Sequence, residues 1–385
     1  MVINLLVLLL SFYTEGLLAQ KTSSFQPEIV LGHVVPNFQN YPRSGLLYGV
    51  GLAWHTSNTQ KNLWQRQWPN GETGFYIGYW NMGNDSIFGS ELTAYPYVQF
   101  PVLKRRKAPL FIRVGLGLAH FSRHYSKPDN VRNTAIGSGF TWAFESSLRW
   151  SRPISDHLKI ALAGKFLHGS NGHTQLPNFG LNSAALSIGL QYFPNGVPIR
   201  PKHHPITRFK SRFIQIRAGT GLQEFGGTDG PVGGPKYGVN FLALYYNFQF
   251  NQRNRLKLGF TLRKYNSYAT YIANHSLDKK YTPYSVSFIL GHEFLLGHTG
   301  LDVDGLLHLY KPFYRIYWDQ FNPESHVLFL LHRWLGARIG LNLYALAPAT
   351  HPKTNVFLGV HINTNNGEAD FSSISVGLEH KFDNH

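Results

Sequence analysis

Leu110-Phe111-Ile112-Arg113-Val114-Gly115-Leu116-Gly117-Leu118-Ala119-His120-Phe121 is the stretch whose reading decides the fold. Its even positions carry Leu110, Ile112, Val114, Leu116 and Leu118, while the odd ones carry Phe111, Arg113, Gly115, Gly117 and Ala119. A period of two belongs to an extended strand, whose successive side chains point to opposite faces. The pattern recurs from Phe140 to Trp150, where Phe140, Trp142, Phe144, Leu148 and Trp150 oppose Thr141, Glu145, Ser147 and Arg149. It recurs again from Ala184 to Tyr192, with Leu186, Ile188 and Leu190 set against Ala185, Ser187, Gly189 and Gln191. The chain is therefore expected to be all-β.

Alternation alone suits a soluble sandwich, with the polar face to water and the apolar face to a second sheet. Three features favour an antiparallel transmembrane β-barrel, with the apolar face to lipid and the polar face to the lumen. The candidate strands run about ten to fourteen residues, the length of a tilted spanning strand, against about five or six in common sheets. Aromatic residues gather at strand ends, at Trp54, Tyr79, Trp80, Trp150 and Tyr192, as interfacial girdles do. The final alternation, Ile374, Val376, Leu378, His380, Phe382, runs to an aromatic near the C-terminus, as the last strand of outer-membrane barrels does. Only a closed barrel lets a sheet sit in lipid, because an open edge leaves backbone groups unpaired in hydrocarbon.

Composition agrees. Of 385 residues, 43% are hydrophobic and 15% charged, enough for a folded chain. Beyond the first twenty positions no apolar run approaches the roughly 18 residues of a spanning helix. Cysteine is absent, which excludes disulfide scaffolds, cysteine catalysis and thiolate metal sites. A net charge of +16 attracts polyanions, either nucleic acid or a phosphate-rich lipid surface. Residues 1–19 have the apolar stretch of a secretory signal ending at Ala19, and export turns the reading from nucleic acid toward lipid.

The chain also reads as a duplication. Lys165-Phe-Leu-His-Gly-Ser-Asn171 followed by Leu186-Ser-Ile-Gly-Leu190 is echoed by Gly359-Val-His-Ile-Asn-Thr-Asn365 followed by Ile374-Ser-Val-Gly-Leu378. Counting back gives about eight strands in each half, so about sixteen in all. The expected domains are an eight-stranded unit over residues 20–193, a basic proline-rich linker over 194–211, and a second eight-stranded unit over 212–385. They make either tandem barrels or one larger barrel, with a lean to two because the linker exceeds a short turn. One strand is expected over 328–346. Residues 59–72, with Trp64 and Trp68, fit no strand.

Parity singles out a candidate site. His168 and Ser170 share the even positions of Ile160, Leu162 and Phe166, so they face lipid, and Asn182 opens the following strand on its own lipid-facing side. Polar groups facing hydrocarbon without partners cost several kcal/mol, so such a cluster must satisfy itself. The chemistry it suits is acyl transfer, with Ser170 as nucleophile, His168 as general base and Asn182 holding the imidazole tautomer. In the second half His361 holds the place of the base and Asn363 that of the serine, so that half reads as catalytically silent. His173, His203 and His204 raise a metal reading, but no further ligand stands at suitable spacing, and Lys104–Lys107 reads as a solvated turn.

The run His168-Gly-Ser170-Asn171, followed by Pro177-Asn178-Phe-Gly180 and a polar residue at 182, resembles the PagL-type outer-membrane lipid A deacylases. The resemblance implies an eight-stranded barrel in the bacterial outer membrane that hydrolyses an ester-linked acyl chain of lipid A, with lipopolysaccharide as substrate and no metal or organic cofactor. It puts His168 at the base and Ser170 at the nucleophile. Asn178 falls at an oxyanion-binding asparagine, with backbone near Gly172 and Asn171 in the same substrate-binding set. The family type has Glu as third member where Asn182 stands here. Asn can orient the imidazole but cannot stabilise the imidazolium by charge. The competing expectation is a non-enzymatic barrel, a porin or assembly protein, that keeps a decayed form of the motif.

Overall fold

In the computed structural model the described residues are 23–58, 65, 71–103, 109–198, 208–321 and 326–382. The signal-like residues 1–19, the turn at 104–107, the histidines at 203 and 204, and nearly all of 59–70 lie outside them.

Eight strands form the first unit: β1 (Ser23–Val35), β2 (Leu47–Ser57), β3 (Glu72–Asn81), β4 (Ser90–Leu103), β5 (Leu110–Phe121), β6 (Phe140–Pro153), β7 (Leu158–Ser170) and β8 (Leu181–Tyr192). Each pairs antiparallel with its neighbour, and β8 returns to pair with β1 from Phe25↔Tyr192 to Val35↔Asn182, closing a barrel. The second unit consists of β9 (Arg208–Glu224), β10 (Lys236–Asn251), β11 (Asn254–Tyr265), β12 (Tyr284–Leu296), β13 (Thr299–Tyr310), β14 (Leu335–Tyr344), β15 (Thr354–Asn365) and β16 (Glu368–Lys381). It closes separately, β16 against β9. Of the two architectures the sequence left open, the chain adopts tandem barrels.

Each barrel is inside-out relative to a soluble protein. Outward positions are exposed and apolar, as at Leu162, Phe166, Leu186, Ile188, Leu244 and Val376. Inward positions are charged and buried. In the first barrel Lys165 pairs with Glu28 and lies 3.9 Å from Glu145, and Arg113 and Arg149 share the same lumen. In the second, Arg217 reaches Asp302 at 3.0 Å, Lys257 and Arg338 engage Asp302 and Asp304, and Arg255 bridges Glu293 and Glu379. An apolar wall around a charged, closed interior is the arrangement that lipid demands, and it excludes the sandwich. Trp80 departs from the girdle expected of it: the parity of β3 turns it inward, where it is fully buried.

The second barrel carries helices that the alternation did not foretell: α1 (Asn266–Asn274), α2 (Tyr314–Phe321) and α3 (His326–Trp334). The last corrects the strand expected over 328–346, which is helix up to Trp334 and strand only from Leu335. A continuous apolar run such as Val327 to Leu331 has no period to separate helix from strand. Here Phe329 and His332, three residues apart, turn to the same buried side, where Phe329 meets Tyr314 and Trp318. α1 and α2 lie over the same end of the barrel with an aromatic cluster of Tyr265, Tyr268, Phe313 and Phe371.

Candidate active site

The site lies at the end of the first barrel where β7 passes through residues 171–180 into β8. In β7 the even, outward positions hold Leu162, Gly164, Phe166, His168 and Ser170, the last of them buried, and His168 is directly opposite Asn182 of β8. That register brings His168 Nδ1 within 2.6 Å of Asn182 Oδ1. With the Nδ1–H donating to the amide oxygen, Nε2 keeps its lone pair.

Ser170 ends β7. Its Oγ is 3.0 Å from Asn178 Nδ2 and 3.2 Å from the backbone nitrogen of Gly172, so two N–H donors converge on it. Asn178 Oδ1 accepts the Asn171 N–H at 3.0 Å, which sets the orientation of that amide and turns its NH2 toward Ser170. No hydrogen bond links His168 to Ser170, whose hydroxyl is engaged by Asn178 instead. Catalytic hydrogen bonds in ligand-free sites are commonly loose and tighten only around substrate.

The loop is built by its own polar groups. Asn171 Oδ1 accepts the Thr174 N–H at 3.1 Å, and Asn171 Nδ2 donates to the Gln175 carbonyl at 2.6 Å. The Asn171 side chain thus shapes the loop. Gly180 has φ +77, and a Cβ there would stand 2.7 Å from His168 Cε1. Glycine is therefore required beside the imidazole on both counts. Loops of the first barrel hold the descending side, through the Gly180 N–H to the Ala135 carbonyl and Asn37 Nδ2 to the Phe179 carbonyl.

The ascending side and the middle of the loop are held by the second barrel. The Asn178 N–H donates to the Thr228 carbonyl at 2.8 Å, the Leu176 N–H to Glu224 Oε2 at 2.9 Å, and the Glu224 N–H to the His173 carbonyl at 2.9 Å. His173 Nε2 is 3.2 Å from the Gly226 carbonyl. Burial of the ring lowers the pKa of His173 from its ordinary value, against smaller opposing effects of Asp370 and Glu224. Ser372, on β16, accepts a hydrogen bond from Trp142 Nε1 at 3.0 Å. None of these second-barrel residues was singled out from sequence, since nothing local marks a contact made across about fifty to two hundred positions.

The second copy lacks this arrangement. In β15 the odd positions face inward, so His361 and Asn363 are buried in the lumen, where His361 is 3.2 Å from Asp302 and Asn363 accepts from Arg263. The likeness of the two histidines in sequence therefore does not place them on equivalent faces: odd positions face inward in both β7 and β15, and 168 is even while 361 is odd. No group of three or more His, Cys, Asp or Glu suited to a metal ion occurs among the described residues.

Residues 46–191 match the model of the family described as lipid A 3-O-deacylase (PagL). No curated protein matches the chain. Among solved structures the outer membrane enzyme PagL is 21% identical, over 43% of this chain and 97% of that one, with a TM-score of 0.32. Neisserial surface protein A is 8% identical over 44% and 96%, with a TM-score of 0.29.

Proposed function

We propose, from a first barrel of the PagL type, that this chain is an outer-membrane esterase that removes an ester-linked fatty acyl chain from lipid A. The observation that carries the reading is the convergence, on the lipid-facing side of β7, of an imidazole oriented by Asn182 and a serine hydroxyl met by two N–H donors. A nucleophile, a base with its tautomer fixed, and paired donors are the parts that acyl transfer needs.

The chemistry follows from those roles. Ser170 Oγ attacks the ester carbonyl while its proton passes to His168 Nε2. Charge developing on the carbonyl oxygen is stabilised by donors already gathered at Oγ, Asn178 Nδ2–H and Gly172 N–H. Collapse of the tetrahedral species expels the sugar alkoxide, which takes the proton from His168. Water, deprotonated by the same imidazole, then hydrolyses the acyl-enzyme and releases the fatty acid. An outward-facing site at the barrel's end lets the acyl chain remain in hydrocarbon while the ester reaches Ser170.

Ser170→Ala should abolish release of free fatty acid from purified lipopolysaccharide in detergent, followed by mass spectrometry of the lipid A. Release at the wild-type rate by that variant would overturn the assignment.

A further inference from the structure

We propose that the second barrel is a built-in brace for the active-site loop, with Glu224, Thr228 and Ser372 as positioning residues for the oxyanion donors. The inference rests on the reading of Ser170 as nucleophile and assigns a role to the half of the chain that lacks the site.

The two donors at Ser170 Oγ sit at the ends of a short segment: Gly172 gives its backbone N–H and Asn178 its side chain. His173 and Leu176 between them, and Asn178 itself, are tied to the other barrel. The His173 carbonyl accepts the Glu224 N–H, the Leu176 N–H donates to Glu224 Oε2, and the Asn178 N–H donates to the Thr228 carbonyl. Glu224 therefore acts twice, through backbone and side chain, and its other carboxylate oxygen accepts the Gly234 N–H at 2.8 Å, which fixes the carboxylate itself. At the other end, Gly172 has φ +65 and packs so closely on Ser372 that a Cβ would collide with Ser372 Oγ. That hydroxyl is in turn held by Trp142 of β6.

The brace is itself anchored. Phe225, next to Glu224, sits among Tyr271, Tyr317 and Phe321 with ring centroids 5.7, 5.8 and 5.3 Å away, and so belongs to the aromatic cluster under α1 and α2. Tyr317 also donates to the Gly226 carbonyl at 2.5 Å. A chain of contacts thus runs from the helical cap of the second barrel, through residues 224–228, to the donors of the first. This also gives the cap a purpose that a barrel spanning lipid does not need. Donors aimed at a developing oxyanion act only if they are held in place beforehand, and misplacement by about 1 Å costs up to about a hundredfold in rate.

The test compares the full-length wild type with Glu224→Ala, Ser372→Ala and Ser170→Ala, by lipid A deacylation and by amide hydrogen exchange over residues 172–178. Glu224→Ala should lower kcat by about tenfold or more with KM little changed, since the donors act on the transition state and not on substrate binding. It should also speed exchange of the Leu176 and Asn178 amides, with β7 and β8 still protected. Ser372→Ala should lower kcat more mildly. Unchanged exchange in Glu224→Ala overturns the brace whatever the activity. Faster exchange with wild-type kcat overturns its catalytic role while leaving the esterase reading intact. If Ser170→Ala keeps wild-type activity, the esterase reading fails, and the exchange result still decides whether the second barrel holds the loop.

Discussion

At the scale of the residue, the site turns on what Asn182 can and cannot do for His168. Its amide oxygen meets Nδ1 at 2.6 Å, which fixes the tautomer and leaves Nε2 as the base. On the proposed mechanism it would bring no negative charge to offset the imidazolium formed when Ser170 loses its proton, which would slow catalysis to that extent. Asn182→Glu supplies the charge in the same rotamer space, so kcat for deacylation should rise by about tenfold or more, with the rate at low pH falling as the carboxylate protonates. A variant no faster than the wild type would show that orientation alone is what His168 requires. His168, Ser170 and Asn182 were legible in the sequence because strand parity fixes the face of each. Asn178 was legible only through the resemblance, because it sits in a loop where parity gives no direction. Parity gives no direction for Asn171 either: its side chain closes a turn with Thr174 and Gln175, a choice made by local hydrogen bonds.

At the scale of the element, strands and helices differ in how they announce themselves. Strands such as β5, β6 and β8 separate an apolar face from a polar one residue by residue, and the lipid and lumen they face reinforce that separation along their length. α3 has no such contrast, and its apolar run reads equally as strand until Phe329 and His332 find buried partners in α2. The loop at 171–180 lay beyond the reach of either pattern, because its form depends on residues 224–228. His173 makes that dependence sensitive to pH. Burial keeps its folded pKa below the unfolded value, although Asp370 and the Gly226 carbonyl favour the protonated ring, so the stability given by burying the neutral ring is full above about pH 6.5 and is lost as pH falls through the lowered folded pKa. Protection of the Leu176 amide, corrected for intrinsic exchange, should therefore fall on acidification in the wild type. In His173→Asn, which tolerates the left-handed backbone at φ +69, it should stay flat. Equal acid sensitivity in both proteins would assign the effect to another group.

At the scale of the whole molecule, one chain makes two closed barrels because β8 finds β1 before the linker begins, and β9 starts a second sheet with its own partner in β16. Alternation and the repeated motif lead to the expectation of two units joined by a linker over 194–211, and β9 already begins at Arg208, inside that range; closure was not legible, since pairing β8 with β1 or continuing into β9 satisfies the same alternation. Closure at eight strands decides what each lumen can do. An eight-stranded barrel is just wide enough for its own side chains, and here they meet across it: Lys165 with Glu28 in the first, Arg217, Lys257 and Arg338 with Asp302 and Asp304 in the second. These ions are buried as pairs, and opening a path between them would leave charges without partners at a cost of about 3–5 kcal/mol for each pair broken. The chain therefore has no reason to conduct. Reconstituted in planar bilayers, it should give no single-channel steps above baseline at moderate voltage. Lys165→Ala, which removes the cation between Glu28 and Glu145, should lower the unfolding temperature of the first barrel without opening a pore. Steady conductance by the wild type would show that the lumen network gives way in lipid, and would return the porin reading in place of the esterase.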